Sequence, residues 1–265
     1  MKGIHLCLLT CLLWLPWCAP AAPVEPLYTQ SGTDPAFAEL VSSGKLPQGQ
    51  SSNQGVTGSR IQVNKSVLEV GPNAKNAIPS NIKLHTLCNS SISRKDFPKW
   101  SRWYQEDGHT QIFRLFKDET NVHNSRPLSA RVEAFSVLRW KQGPWHEWSG
   151  TYTIVKPHRA AIFQAKNGGP PNWAVQLDMD DRGNVMFAAR RQKEKIIAAN
   201  MTGKPFHIRV RDNGLDFEVY LDGKKVGTGS WPRAEGETNF RWGMYLGEHP
   251  VEHDAMIFVT GAAFE

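Results

Sequence analysis

The sequence predicts an all-β fold, a sandwich or jelly roll of antiparallel strands. Three observations carry this. Short runs alternate apolar and polar residues with the period of a strand. Turn signals separate them at close spacing, most clearly Asp212-Asn213-Gly214 and Asp222-Gly223. Helical periodicity is confined to a turn or two near Pro35 to Ser42 and Arg94 to Trp103.

The elements follow in order. Residues 1–22 read as a secretory signal peptide. Lys2 is the basic start, Leu6 to Trp17 the apolar stretch, and Cys18 to Ala22 the small residues that precede cleavage. Residues 23–80 are rich in Ser, Gly, Gln, Asn and Pro, and read as a linker or loosely ordered arm, with IQVNKSVLEV as one edge strand. Residues 81–265 form the β domain. There QIFRLF, ARVEAF, TYTIV, AAIFQAK, WAVQLDMD, NVMFAA, HIRVR, LDFEVYL and NFRWGMYLG are the strands. Val175, Leu177 and Met179 share one face of their run; Gln176, Asp178 and Asp180 share the other.

Composition narrows the function. A net charge of +6 suits an acidic partner: nucleic acid, an anionic surface or an acidic polysaccharide. An exported chain does not meet nucleic acid, and nothing beyond the signal segment is a membrane span. The expected setting is therefore secreted or periplasmic, as a monomer. Cys7, Cys11 and Cys18 leave with the signal, so the lone Cys88 has no intrachain partner and the core alone must hold the fold.

Three runs carry candidate chemistry. In NFRWGMYLG, Phe240, Trp242, Met244 and Leu246 make an apolar face. Arg241, Gly243 and Tyr245 make the other, a cation and a phenol with a glycine leaving space between them. In AAIFQAK, Gln164 and Lys166 share a face, an amide and an ammonium suited to a carboxylate. In ARVEAF, Arg131 and Glu133 share a face, where the Arg offers a fork of donors or the two simply pair at the surface. His249 and His253 are four apart, but the Pro between them argues against a helix that would bring them to one face, so no metal site is expected. Glu133, Glu147, Asp178 and Asp180 do not form the tight acid cluster of a β-sandwich glycosidase.

Together and in this order, ARVEAF, IFQAK and NFRWGMYLG resemble the three-motif signature of β-jelly-roll polysaccharide lyases. This group includes alginate lyases and related glucuronan and heparin lyases. In such alginate lyases one strand carries Arg-x-Glu, a second Gln-x-His, and a third Tyr-Phe-Lys-x-Gly-x-Tyr-Asn-Gln. Arg131 and Glu133 match the first, Gln164 the second, and Phe240, Gly243 and Tyr245 the third, with Arg241 replacing the Lys. Lys166 stands where the second motif has His, and Leu246-Gly247 replace Asn-Gln. The resemblance covers roughly Gln111 to Glu265.

It implies a concanavalin A-like β-jelly-roll sandwich with a concave substrate cleft. It implies β-elimination from a uronate polymer, with no cofactor. Tyr245, Gln164, Lys166 and Arg131 would be catalytic. Arg241, Glu133, Arg114 and Gln176 would bind substrate, and His109 and His123 are the candidates for a separate base. A phenol's ordinary pKa of about 10 calls for nearby positive charge, which Arg241 and Lys166 are placed to give. The departures favour glucuronate or mannuronate linkages, where one tyrosine can take the C5 proton and return it to O4. The rival readings are a carbohydrate-binding sandwich without catalysis and a β-sandwich glycosidase; neither releases an unsaturated product.

Overall fold

The computed structural model describes residues 25–47, 54–71, 74, 76–123, 127–166, 173–233 and 238–265. The signal segment and its three cysteines lie outside them. Among the described residues no helix is long and apolar enough to cross a membrane.

The N-terminal part holds β1 (Tyr28–Ser31), α1 (Phe37–Ser42), β2 (Arg60–Val63) and α2 (Lys65–Leu68). Next come β3 (Ile82–Thr86), β4 (Ile92–Ser93), a 3-10 stretch at Arg94–Trp100, β5 (Tyr104–Asp107) and β6 (Thr110–Leu115). The middle runs through β7 (Arg131–Ser136), β8 (His146–Lys156), β9 (Ala160–Lys166), β10 (Trp173–Met179), β11 (Val185–Ala189) and β12 (Lys195–Ala198). The chain closes with β13 (Pro205–Asp212), β14 (Asp216–Leu221), β15 (Lys224–Ser230), β16 (Asn239–Tyr245) and β17 (Ala255–Phe264).

Two antiparallel sheets face each other. One has the order β12-β11-β10-β9-β16-β7-β3-β4, the other β15-β14-β13-β8-β17-β6-β5. The alternation in the sequence dictates this packing. Phe240, Trp242 and Met244 are fully buried between the sheets, as are Val175, Leu177, Met179, Ile208 and Val210. Trp242 packs on Trp148 at 5.7 Å between centroids. Its indole N–H donates to Gln111 at 2.8 Å, so the buried polar atom has its partner. Cys88 is a buried free thiol, and burial pushes its pKa up, away from the reactive thiolate.

The N-terminal segment is not a loose arm where it is described. β1 and β2 pair, and Ile61, Val63 and Leu68 bury against Ile112, Met256 and Phe258 on the outside of the second sheet. Asp34 bonds Ser59 and pairs with Arg114 at 3.1 Å. Its low-complexity composition hid a few apolar residues that suffice because the sheet beneath supplies the rest of the core.

Candidate functional site

The site is built from register. β16 lies between β9 and β7, so the three motif strands are neighbours although β16 comes last in the chain. Across them runs one row: Gln176, Gln164, Arg241 and Phe135 sit opposite each other on β10, β9, β16 and β7. Further along, Tyr245 lies opposite Arg131 on one side and Ala161 on the other, and Asp178 lies opposite Ala161. Between these rows, Glu133 is flanked by Gly243 and by His85 of β3. This is the outer face of the first sheet.

Gly243 has a different role from the one its size suggested. Its φ is +127°, and a Cβ there would meet the Val132 carbonyl at 2.3 Å and Glu133 Cα at 2.9 Å. Rather than opening space, it permits a close backbone approach at a register shift in β16. The small residue beside Tyr245 is Ala161.

Cations outnumber carboxylates here. Arg131 stacks over the Tyr245 ring at 4.1 Å and lies 3.8 Å from Glu133. The cation on Tyr245 is therefore Arg131, where the sequence suggested Arg241 and Lys166. Arg241 instead lies over Phe135 at 5.1 Å, and its Nε is buried with no hydrogen-bond partner. Burial, then Arg241 and Arg131, lowers the Lys166 pKa to about 8, against the pull of Glu133.

Gln164 donates to Gln176 Oε1 at 2.9 Å, and Gln176 donates to Asp178 Oδ1 at 2.6 Å. One N–H of Gln164 is thus committed along the row, and the second has no acceptor among the described residues. Beyond Tyr245 the face continues into a cavity of about 550 Å³ lined by Trp173, Gln176, Asp178 and Glu194. Asp178 is raised to about 7, chiefly by burial and also by the neighbouring Glu194 carboxyl, against the Gln176 bond. The sequence placed Gln176 and Asp178 on one strand face but gave a binding role to Gln176 alone, and Glu194 was not singled out.

Two expected residues are elsewhere. Arg114 is 2% exposed on β6 of the other sheet, where it anchors Asp34, Ser59 and the Ser101 carbonyl. Its run alternates correctly, but alternation does not say which sheet a strand joins. His109 lies in the β5–β6 turn at the end of that same sheet, its backbone N–H held by Glu69. His123 does reach the site: its ring lies edge-on to His85 at 5.8 Å.

His85 is the residue that sequence reasoning missed. It is 8% exposed, matching Arg131 at 9%, and its Nε2 is buried with no hydrogen-bond partner. An unmet buried polar atom costs about 1–3 kcal/mol. Burial holds its pKa well below the ordinary histidine value, reinforced by Arg131, Arg241, His123 and Lys166. No signal in IKLHT distinguishes this histidine from the others.

Elsewhere, His158, Asp181 and His253 stand close enough together to suggest a metal site. His158 already uses both ring nitrogens, one on the Arg159 carbonyl and one on the Glu252 N–H.

No protein-family model and no curated protein sequence matches this chain. Solved structures do. An alginate lyase from Corynebacterium sp. superposes with a TM-score of 0.60 at 12% identity, covering 73% of this chain and 97% of that one. Alginate lyase AlgAT5 of polysaccharide lyase family 7 gives 0.58 at 13% identity, over 70% and 94% of the two chains. Alginate lyase AlyC3 in complex with dimannuronate gives 0.56 at 9% identity, over 70% and 89%. The chain has the β-jelly-roll fold of these alginate lyases.

Proposed function

We propose that the protein is a secreted polysaccharide lyase that cleaves a uronate polymer by β-elimination. The observation that supports this most is the convergence of Arg131, Gln164, Lys166, Arg241 and Tyr245 on three adjacent strands of one face. A uronate C6 carboxylate is the ligand such a surplus of donors and cations suits. The fold shared with alginate lyases, one of them holding dimannuronate, agrees with it.

Fixed donors around the carboxylate stabilise the negative charge that develops when C5 loses its proton. Arg241 and Lys166 supply charge, and the free N–H of Gln164 supplies direction. Tyr245 carries the proton from C5 to O4. The C5–H electrons become the C4=C5 double bond, and the C4–O4 bond breaks with its pair on oxygen. This single-residue route suits D-glucuronate and D-mannuronate linkages, where the proton and O4 lie on one side. Trp173 in the adjoining cavity offers a surface for a neighbouring sugar.

The test is to incubate the purified protein with glucuronan, polymannuronate, polyguluronate and heparin and follow ultraviolet absorbance of the unsaturated product. Growth of absorbance on a polyuronate is expected. Binding without any product would instead favour a carbohydrate-binding module and overturn the lyase reading.

A further inference from the structure

We propose that His85 is a separate catalytic base, which opens L-uronate linkages to elimination with Tyr245 as the acid. This rests on the lyase reading above and adds to it.

His85 lies on β3, opposite Glu133 of β7. Tyr245 lies on β16, opposite Arg131 of the same β7 strand. The imidazole and the phenol therefore flank β7 from its two sides, with the Arg131–Glu133 unit between them. A uronate seated over Arg131 would meet one group from each side. In an L-uronate of the guluronate type the C5 proton and O4 are on opposite faces, and no single residue can serve both.

Bonding state agrees. His85 Nε2 is buried and unpartnered, while Glu133 is opposite it in the ladder. The ring is in the same layer as the motif residues, with nearly the exposure of Arg131. The charged groups around it are Arg131 and Glu133 on β7, Arg241 on β16, Lys166 on β9 and His123 in the loop before β7. Their net positive charge and the burial keep the imidazole neutral, the form a base requires. His123, whose Nδ1 is likewise buried and unpartnered, meets this ring edge-on and is the more exposed of the two.

The step balances without any co-reactant. His85 takes the C5 proton; the C–H pair forms the C4=C5 bond; the C4–O4 pair stays on oxygen, which receives the Tyr245 proton. The imidazolium then loses a proton to solvent and the phenolate gains one.

The experiment compares polyguluronate with polymannuronate and glucuronan, using wild type and His85→Asn, with circular dichroism and thermal melting to check the fold. Wild type is expected to cleave polyguluronate. His85→Asn is expected to lower kcat on it by about 10²–10⁴-fold, with a smaller change in KM. If the Asn variant does not fold, added imidazole should restore activity to His85→Ala, and failure of that rescue counts against the proposal. The acid limb of the wild-type kcat/KM profile on polyguluronate should begin only below about pH 6.5, as His85 is protonated. Cleavage of D-uronate polymers without any cleavage of polyguluronate would overturn the His85 proposal and leave the lyase reading standing. So would a folded His85→Asn variant with wild-type kcat on polyguluronate. Inactivity on every polyuronate would overturn the lyase reading itself.

Discussion

The outer faces of the two sheets use the same residue types to opposite ends. On the second sheet, Glu147 pairs with Arg209 at 3.2 Å and Arg211 at 3.6 Å. Glu218 pairs with Arg211 at 3.0 Å and Lys225 at 2.6 Å, and also receives the Tyr220 hydroxyl at 2.8 Å. Lys225 leads the contacts that hold the Glu218 carboxyl down to about 2. On the first sheet, Arg131, Arg241, Lys166 and His85 crowd around Glu133, and Lys166, His85 and Arg241 are pushed toward their neutral forms. A surface whose charges satisfy one another has nothing left to offer a ligand. A surface whose charges strain against one another is waiting for an anion.

The contrast can be broken most severely at Tyr245. Tyr245→Phe should cut kcat on D-uronate polymers by about 10²–10⁴-fold with no shift in melting temperature. Tyr220→Phe, the same change on the second sheet, should leave activity intact. Removing the amide in Gln164→Ala should cost about 10²–10³-fold, read as kcat on the best polyuronate. Gly243→Ala attacks the frame rather than the chemistry. Its positive φ and the Val132 carbonyl predict a loss of at least about 1–3 kcal/mol, measurable by denaturant unfolding.

Lys166 sharpens the comparison through pH. It loses its charge as pH rises through about 8, so activity should fall there, and Lys166→Arg should extend activity to higher pH. Stability should move the other way. The folded protein releases this proton before the unfolded chain does, so the Lys166 contribution improves between about 8 and the ordinary lysine value of about 10.5. Smallest is Glu218→Gln, expected to cost at most about 1 kcal/mol and no activity. The Glu218 contribution is present above the ordinary value of 4.5 and is lost as pH falls toward about 2, which acid unfolding of the variant would reveal.

Much of this was legible in the chain. Strict alternation in FRWGMYL and WAVQLDM assigned core and outer faces because a strand has only two. Arg131, Glu133, Gln164 and Tyr245 followed from that parity and the motif order. Adjacency was harder: β16 enters between β9 and β7 from far along the sequence. Parity also could not tell one sheet from the other, which is why Arg114 was expected in the cleft and is found under the N-terminal segment. His85 stayed hidden because its meaning comes from Glu133 and Arg131 of β7, a strand that only the fold brings beside it.

The place of β17 has a consequence for how the molecule comes into being. This last strand, ending one residue before the C-terminus, lies between β8 and β6 in the interior of its sheet. It also carries Met256 and Phe258, the seat of the N-terminal segment. Part of the seat of Ile61, Val63 and Leu68 is thus supplied by a strand about 200 residues away in sequence, and the rest by Ile112 of β6. Contacts of such sequence separation are slow to form. Docking of β1 and β2 in refolding should therefore lag behind local hairpins such as β13–β14, whose strands are neighbours in sequence.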